Sequence, residues 1–434
     1  MEKSERIAIV GAGLGGLSAA YDLLKAGRQV TIFESSNGVG GLAAGFKLPH
    51  WDWSLEQYYH HWFASDRHIL GLIEELGLND RVIFPRPVTV MYHRGKFYPF
   101  DSILAALLYP GLGWGINKIR FGLVGLYLRL TKNWKPMEAA TVDAWMRKWA
   151  GDRVYEEMWK PMVVGKFGER YAEQVNMAWM WARMHARTSR LGTFEGGFQA
   201  FADQFAEILR GMGAEIRLNT PVQAIHPKNE GGVWLDVEGG TKEFDQCLFT
   251  GSPALLARLA PALPGDYLHG LLELKSLGAV VMTITLKHQL SEQGYYWFNL
   301  PKSEGFPFLA LVEHTNYLPK EHYGGDHIVY CGDYLETDHE YFSLSKEELL
   351  QRFLPALARI NPSFQPDWVT GSWLYRTNYA QPVPFMNHSR NIPAIRTPMP
   401  GLFFASMSQV YPWDRGTNFA VEIGRNAARL MLEG

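Results

Sequence analysis

Arg6-Ile7-Ala8-Ile9-Val10-Gly11-Ala12-Gly13-Leu14-Gly15-Gly16, answered at a distance by Gln29-Val30-Thr31-Ile32-Phe33-Glu34, decides the fold. Ile7–Val10 is an apolar run short enough for a buried parallel strand. Leu17, Ala20, Leu23 and Leu24 then repeat at helical spacing, and Gly27 stops the helix. The second apolar run ends on an acid. Strand, glycine-rich turn, helix, strand and acid make a βαβ unit in which GxGxxG stands in its confirming context.

Each residue of the unit has a mechanical reason. Gly11 permits the tight turn, Gly13 lets the backbone approach a pyrophosphate, and Gly16 lets helix and strand pack closely. The helix start at Leu14 and Gly15 offers free N–H groups and a positive dipole end to phosphates. Glu34 can accept hydrogen bonds from a ribose diol. Gly111-Leu112-Gly113-Trp114-Gly115 follows no strand and has no acid after it, so it is no second nucleotide site.

Composition bounds the rest. The 434 residues are 47% hydrophobic and 20% charged, enough for two or three domain-sized units. A net charge of -2 leaves no electrostatic footprint for nucleic acid. Cys247 and Cys331, the two cysteines, are far apart, which argues against a disulfide framework or a zinc site. The first strand starts near residue 6, so a signal peptide is not expected and the location is expected to be cytoplasmic. Apolar residues crowd 103–128, interrupted by Pro110, Lys118 and Arg120. Two readings stand there: a buried helical hairpin lining a pocket, or a peripheral contact with the inner face of a membrane.

Past the acid come Gly40-Gly41-Leu42-Ala43-Ala44-Gly45-Phe46, then the dense stretch Tyr58-Tyr59-His60-His61-Trp62-Phe63. The glycine pair resembles the FAD-binding N-terminus of the flavin amine oxidase, protoporphyrinogen oxidase and phytoene desaturase superfamily, with Leu42 where that pattern usually has Arg. The resemblance covers nearly the whole chain. It implies a Rossmann-like α/β FAD domain with a discontinuous α+β substrate domain, a mixed sheet plus a helical insertion. The implied FAD segments are 1–87, 195–256 and 396–434; the substrate segments are 88–194, helical, and 257–395, sheet. It implies cofactor contacts at Val222 against the adenine, at Thr250 and Gly251 after a strand, and at Ser406 for the ribityl chain. Thr417, Asn418 and Ala420 open a closing helix aimed at the flavin, whose dipole would stabilise the reduced ring.

Histidine beside such a cofactor is similar to the pattern of the UDP-galactopyranose mutases. Adjacent strand residues face opposite ways, so at most one of His60 and His61 is expected to face the flavin, the other being a core residue. Glu313 and His314 follow an apolar strand and line either a pocket or a surface turn. Tyr411 and Arg415 precede the closing helix and are expected to face ring or substrate. Lys166, in the helical region, is either an anion contact or a structural lysine.

With one dinucleotide fingerprint, electrons are expected to come from an organic small molecule. The favoured function is an FAD-dependent oxidase, dehydrogenase or desaturase acting on a hydrophobic substrate such as an isoprenoid, lipid or tetrapyrrole. The alternative is a non-redox flavoenzyme acting on a nucleotide sugar, and a third is a flavin-bound scaffold without turnover.

Overall fold

The computed structural model describes residues 5–186, 188, 190–228 and 231–433; positions 1–4 and 434, the outer ends of the first and last expected segments, lie outside them. The fingerprint strand Arg6–Val10 sits at the centre of a five-stranded parallel sheet. Gln29–Phe33 and then Glu215–Arg217 flank it on one side, Gln246–Phe249 and Leu402–Phe404 on the other. Five strands thus come from three distant stretches of chain.

Alternation along the strands explains why both faces are covered. Ile7, Ile9 and Ile32 join one core with the fingerprint helix Leu14–Lys25, the helix Gly197–Gly211 and the closing helix Thr417–Leu432. Ala8, Phe33 and Phe249 face the other way, into a core shared with Val222, Ile225 and Leu235.

The second sheet has seven strands, in the order Val369–Pro382, Ser276–Leu286, His327–Leu335, Ala310–Glu313, Tyr295–Asn299, Val88–His93 and Lys96–Pro99. It is antiparallel except between Tyr295–Asn299 and Val88–His93. Val280, Met282 and Ile284 pack under the helix Lys346–Ile360. The opposite face, with Val281, Val312 and Tyr330, meets Trp51, Leu55, Tyr58 and Tyr59. That face forms the wall of the site described below. A helical insert, from Ile103–Leu108 to Met177–Ala186, has its own core.

Four local features follow from the packing. Val233–Val237 pairs with Gly240–Phe244, while Gln246–Phe249 enters the parallel sheet instead of closing the hairpin. Pro161 does not break a helix; it stands in the first turn of Lys160–Ala172, where its missing N–H costs nothing. The helix Arg67–Glu75 is not capped by Ser65 or Asp66. Asp66 accepts from Phe63 N–H at 2.9 Å, and Asn418 Oδ1, from the far end of the chain, accepts from His68 and Ile69 N–H at 2.9 and 3.2 Å. The segment 103–128 is not a fully buried hairpin: Val124 and Leu128 face inward, but Leu104, Trp114, Leu123 and Leu126 stand in solvent.

Candidate active site

The two glycine-rich stretches are stitched together. Gly13 and Gly40 form a parallel bridge, Gly40 N–H donates to Ala12 O at 2.9 Å, and a Cβ on Gly41 would lie 3.1 Å from Gly13 Cα. Gly11 has φ 110°, a left-handed turn closed to most side chains. Gly13 gives the fingerprint helix no side-chain cap, and the first amide its carbonyl satisfies is Leu17 N–H, at 3.0 Å. The closing helix also starts without a side-chain cap, at Gly416. The two helices nearly touch: a Cβ on Gly424 would collide with Gly15 O, and one on Gly15 would lie 3.1 Å from Ala420 O.

Glu34 is preorganised. One carboxylate oxygen accepts from Ala12 N–H at 2.8 Å and the other from Ser36 N–H and Oγ–H at 2.9 and 2.6 Å. The oxygen bonded by Ala12 keeps an acceptor site, while the other, approached also by Ser35 Oγ–H at 3.3 Å, is filled. A side-chain-free cradle, two uncapped helix starts and a fixed acid fit an anionic dinucleotide. Gly13, Gly15, Gly16, Gly40 and Gly41 would hold the diphosphate of FAD, and Glu34 its ribose.

The other expected cofactor residues fall as follows. Thr250 Oγ–H donates to Val10 O at 2.8 Å, locking the turn that leads to Gly251 beside the fingerprint loop. Val222 is buried against Phe33 and Phe249. Ser406 Oγ and Ser408 Oγ share hydrogen bonds with Tyr379 Oη at 3.2 and 2.7 Å. Thr417 Oγ accepts from Trp62 Nε1 at 2.9 Å, and Asn418 is spent on the cap already described. For Thr417, Asn418 and Ala420, backbone is what the closing helix presents. Leu42 lies on a short 3-10 turn with its side chain exposed.

Beyond the cradle stands a packed cluster of aromatic rings. Tyr59 meets Trp297 and Tyr330 edge-on at 5.2 and 5.8 Å, and Tyr58 approaches Tyr375 at 6.4 Å. His60 packs on Phe198, while His61 turns to Phe63 and Trp297. The two histidines therefore lean to different walls although neither is in a strand. His60 Nδ1 lies 2.5 Å from Tyr58 O; a carbonyl only accepts, so Nδ1 carries the hydrogen and Nε2 keeps its lone pair. Burial, against that hydrogen bond, pushes the His60 pKa down to about 4, with Arg415 adding to the fall.

Arg415 joins these residues. Its guanidinium donates to Gln381 Oε1 at 3.0 Å and to Tyr334 Oη, and lies over the Tyr334 ring. Asp414 beside it accepts from Arg183 at 3.2 Å, from Trp179 Nε1 at 3.3 Å and from Lys166. Three cations thus surround one carboxylate. Burial opposes the Asp414 charge, but Lys166, Arg183 and Arg415 together hold it well below the usual carboxylate range. Burial pushes the Lys166 ammonium down, and Asp414 works against that. Tyr411 lines the same water-sized crevice, about 20 Å³, with Arg415, Trp179 and Gln381. Its hydroxyl bonds Glu138 and Asn176 of the insert.

Glu313 and His314 do not join this cluster. They form no surface turn: both are buried. Glu313 accepts from Leu290 and Ser291 N–H at 2.7 and 2.8 Å, tying down the loop after Ser276–Leu286. Burial, opposed by those bonds, lifts its pKa to about 8. His314 Nε2 lies 2.7 Å from Tyr323 Oη within the aromatic cluster. Arg183, Trp179, Tyr334 and Gln381 escaped sequence reasoning, because they converge on Asp414–Arg415 from 34 to 235 positions away with no local spacing to mark them. A larger surface cleft of about 520 Å³, lined by Lys47, Arg81, Glu195 and Asp203, contains none of the cradle residues or of the aromatic cluster.

The flavin-containing amine oxidoreductase family model matches residues 14–432. The chain belongs to that family of FAD-dependent oxidoreductases. Among curated relatives, it is 28% identical over 296 residues to a 15-cis-phytoene desaturase of Capsicum annuum, a match covering 61% of this chain and 49% of that protein. The chain spans about half the length of the first such relatives it matches. A solved structure assigned as a protoporphyrinogen oxidase from Exiguobacterium sp. 255-15 superposes with a TM-score of 0.78 at 19% identity, covering all of both chains. A reduced UDP-galactopyranose mutase superposes at 0.75 and 14% identity, covering 99% of this chain and 96% of that one. At such identities the superpositions establish the fold, the mixed α/β architecture of FAD-dependent oxidoreductases.

Proposed function

We propose that the family member described here removes a hydride from a hydrophobic small molecule, of isoprenoid, lipid or tetrapyrrole type. The aromatic cluster formed by Tyr58, Tyr59, Trp297, Tyr330 and Tyr375 carries this reading, because its ring faces suit contact with an apolar substrate. FAD, when bound, supplies the two-electron acceptor. The chain does the remainder. The rings orient the substrate and exclude water, and His60 Nε2, neutral at pH 7, takes the proton that leaves with the second C–H bond. Oxygen, a quinone or a partner protein removes the electrons afterwards. The phytoene desaturase and protoporphyrinogen oxidase relatives support an apolar substrate. The test is anaerobic mixing with apolar donors of the three classes, followed by flavin absorbance near about 450 nm. Bleaching by one class supports the reading; a flavin that no member of any class bleaches refutes it.

One observation favours a second reading. Lys166, Arg183 and Arg415 outnumber Asp414, so the crevice carries excess positive charge suited to an anionic substrate. A nucleotide sugar handled without net redox, as the mutase neighbour's name suggests, would be turned over only after dithionite reduction.

A further inference from the structure

The helix Ile116–Leu130 buries Val124 and Leu128. On its other side Ile116, Ile119, Leu123, Leu126, Tyr127 and Leu130 recur at helical spacing, each more than half exposed. Leu104 and Leu108, both 67% exposed, continue the patch from the preceding helix. A methyl on Gly122 would touch Leu107 at 4.0 Å, so the two helices lie side by side. Trp114, 90% exposed, is held out at the turn between two glycines of positive φ, Gly113 and Gly115. Nine large apolar side chains in one surface exceed the roughly 300–600 Å² patch ordinary on a monomer.

Charge identifies what covers it. Residues 102–137 contain Lys118, Arg120, Arg129, Lys132 and Lys135 and no acid, in a chain whose net charge is -2. Lys118 sits over the Trp114 ring at 4.9 Å, and Lys132 and Lys135 are exposed just past the helix. An apolar stripe with a tryptophan at its tip and a cationic margin is the pattern that lies in a bilayer interface. Among the described residues no helix is long and apolar enough to cross a membrane. We propose that this patch docks the protein on one leaflet of an anionic phospholipid membrane, with the helix Ile116–Leu130 lying in the plane of the headgroups.

The placement serves the site. Trp181 Nε1 donates to Thr131 O at 2.8 Å just after the docked helix, the Trp181 ring meets Trp413 at 5.4 Å, and Trp413 stacks on Phe419 of the closing helix. A chain of three aromatic rings, Trp181, Trp413 and Phe419, thus links the end of the docked helix to the closing helix. Docking itself stands on the patch and holds whatever the substrate is.

The test is flotation of the FAD-loaded protein with phosphatidylcholine vesicles and with vesicles containing about one third phosphatidylglycerol. Co-flotation with the anionic vesicles is expected, falling at least about tenfold in Leu123→Glu/Leu126→Glu, two exposed sites, with flavin absorbance retained. Lys132→Glu/Lys135→Glu should weaken binding to the anionic vesicles alone, by about fivefold per cation lost. Failure of the wild type to float overturns the proposal, as does flotation indifferent to Leu123→Glu/Leu126→Glu. A wild-type oligomer that this variant splits into monomers also overturns it, since the patch would then be covered by a second copy.

Discussion

Asp414→Asn removes one negative charge from among three positive ones and changes little else in shape. Arg183 stands 3.2 Å from Asp414; at an effective dielectric near 20 that pair is worth about 5 kcal/mol of Coulomb attraction, before desolvation is subtracted. The Lys166 contact is closer and more buried. Loss of one partner from such a cluster costs about 3–5 kcal/mol, because the orphaned cations stay behind. Asp414 is one-fifth exposed and Arg183 about a quarter, so the lower figure applies. Urea unfolding of the holoprotein should show the midpoint falling by at most about 1 M, given a slope of about 3 kcal/mol/M or more for a chain this long. The double variant Lys166→Met/Asp414→Asn should recover part of the loss when unfolding is followed below pH 7, where Lys166, lowered to about 7 by burial, would otherwise stay charged without its partner. Two results would refute the reasoning: Asp414→Asn within about 0.5 kcal/mol of wild type, or a double variant no more stable than the single one.

Gly424→Ala should weaken FAD binding and cost about 1–3 kcal/mol, since its methyl must push the closing helix off Gly15 O; titration of apoprotein with FAD measures the first effect. His60→Gln should retain the flavin but slow its reduction about 10²–10⁴-fold, read by stopped-flow bleaching with whichever donor proves competent. In the wild type, reduction should fall as pH drops towards about 4, where Nε2 is protonated. Glu313→Gln should flatten the pH dependence of stability. The folded carboxyl, raised to about 8 from 4.5, binds its proton more tightly than the unfolded one. Its contribution is therefore fully present below pH 4.5 and lost, over a few kcal/mol, as pH rises through 8. Wild-type and variant unfolding curves that stay parallel from pH 4.5 to 8 would rule this out.

The cradle was legible because its signals are local. Gly11 to Glu34 lies within one βαβ unit, where Gly16 packs on Gly11 O, although Gly11 and Gly15 also meet Thr250 and Ala420 from far along the chain. Gly40 and Gly41 were legible through resemblance, and their contact with Gly13 is now explicit. The partners of Asp414 were not legible. Lys166, Trp179 and Arg183 come from the insert, and Gln381 and Tyr334, which meet Arg415, from the seven-stranded sheet, so no spacing links them. Glu313 misled for a definite reason. An acid at a strand end looks the same in sequence whether it faces a cavity or ties down a neighbouring loop, and only Leu290 and Ser291 N–H decide between the two. Asn418 shows the same effect in reverse, capping a helix 350 positions earlier.

The polarity of the site follows from these placements. Two helix starts without side-chain caps, at Gly13 and Gly416, present positive dipole ends. Arg415 stands directly before the second of them, with Lys166 and Arg183 behind Asp414. Few acids offset this within the site: Asp414 is outnumbered, and both oxygens of Glu34 already accept from Ala12 and Ser36. A buried region so biased is costly when empty and favourable around an anionic dinucleotide. FAD binding should therefore stabilise the fold by more than its apolar contacts account for, and high salt should weaken that gain little, because the charges are screened from solvent. Thermal unfolding of the apoprotein and the holoprotein at low and high ionic strength decides the point: a holo–apo difference that disappears in salt would place the binding charges at the surface.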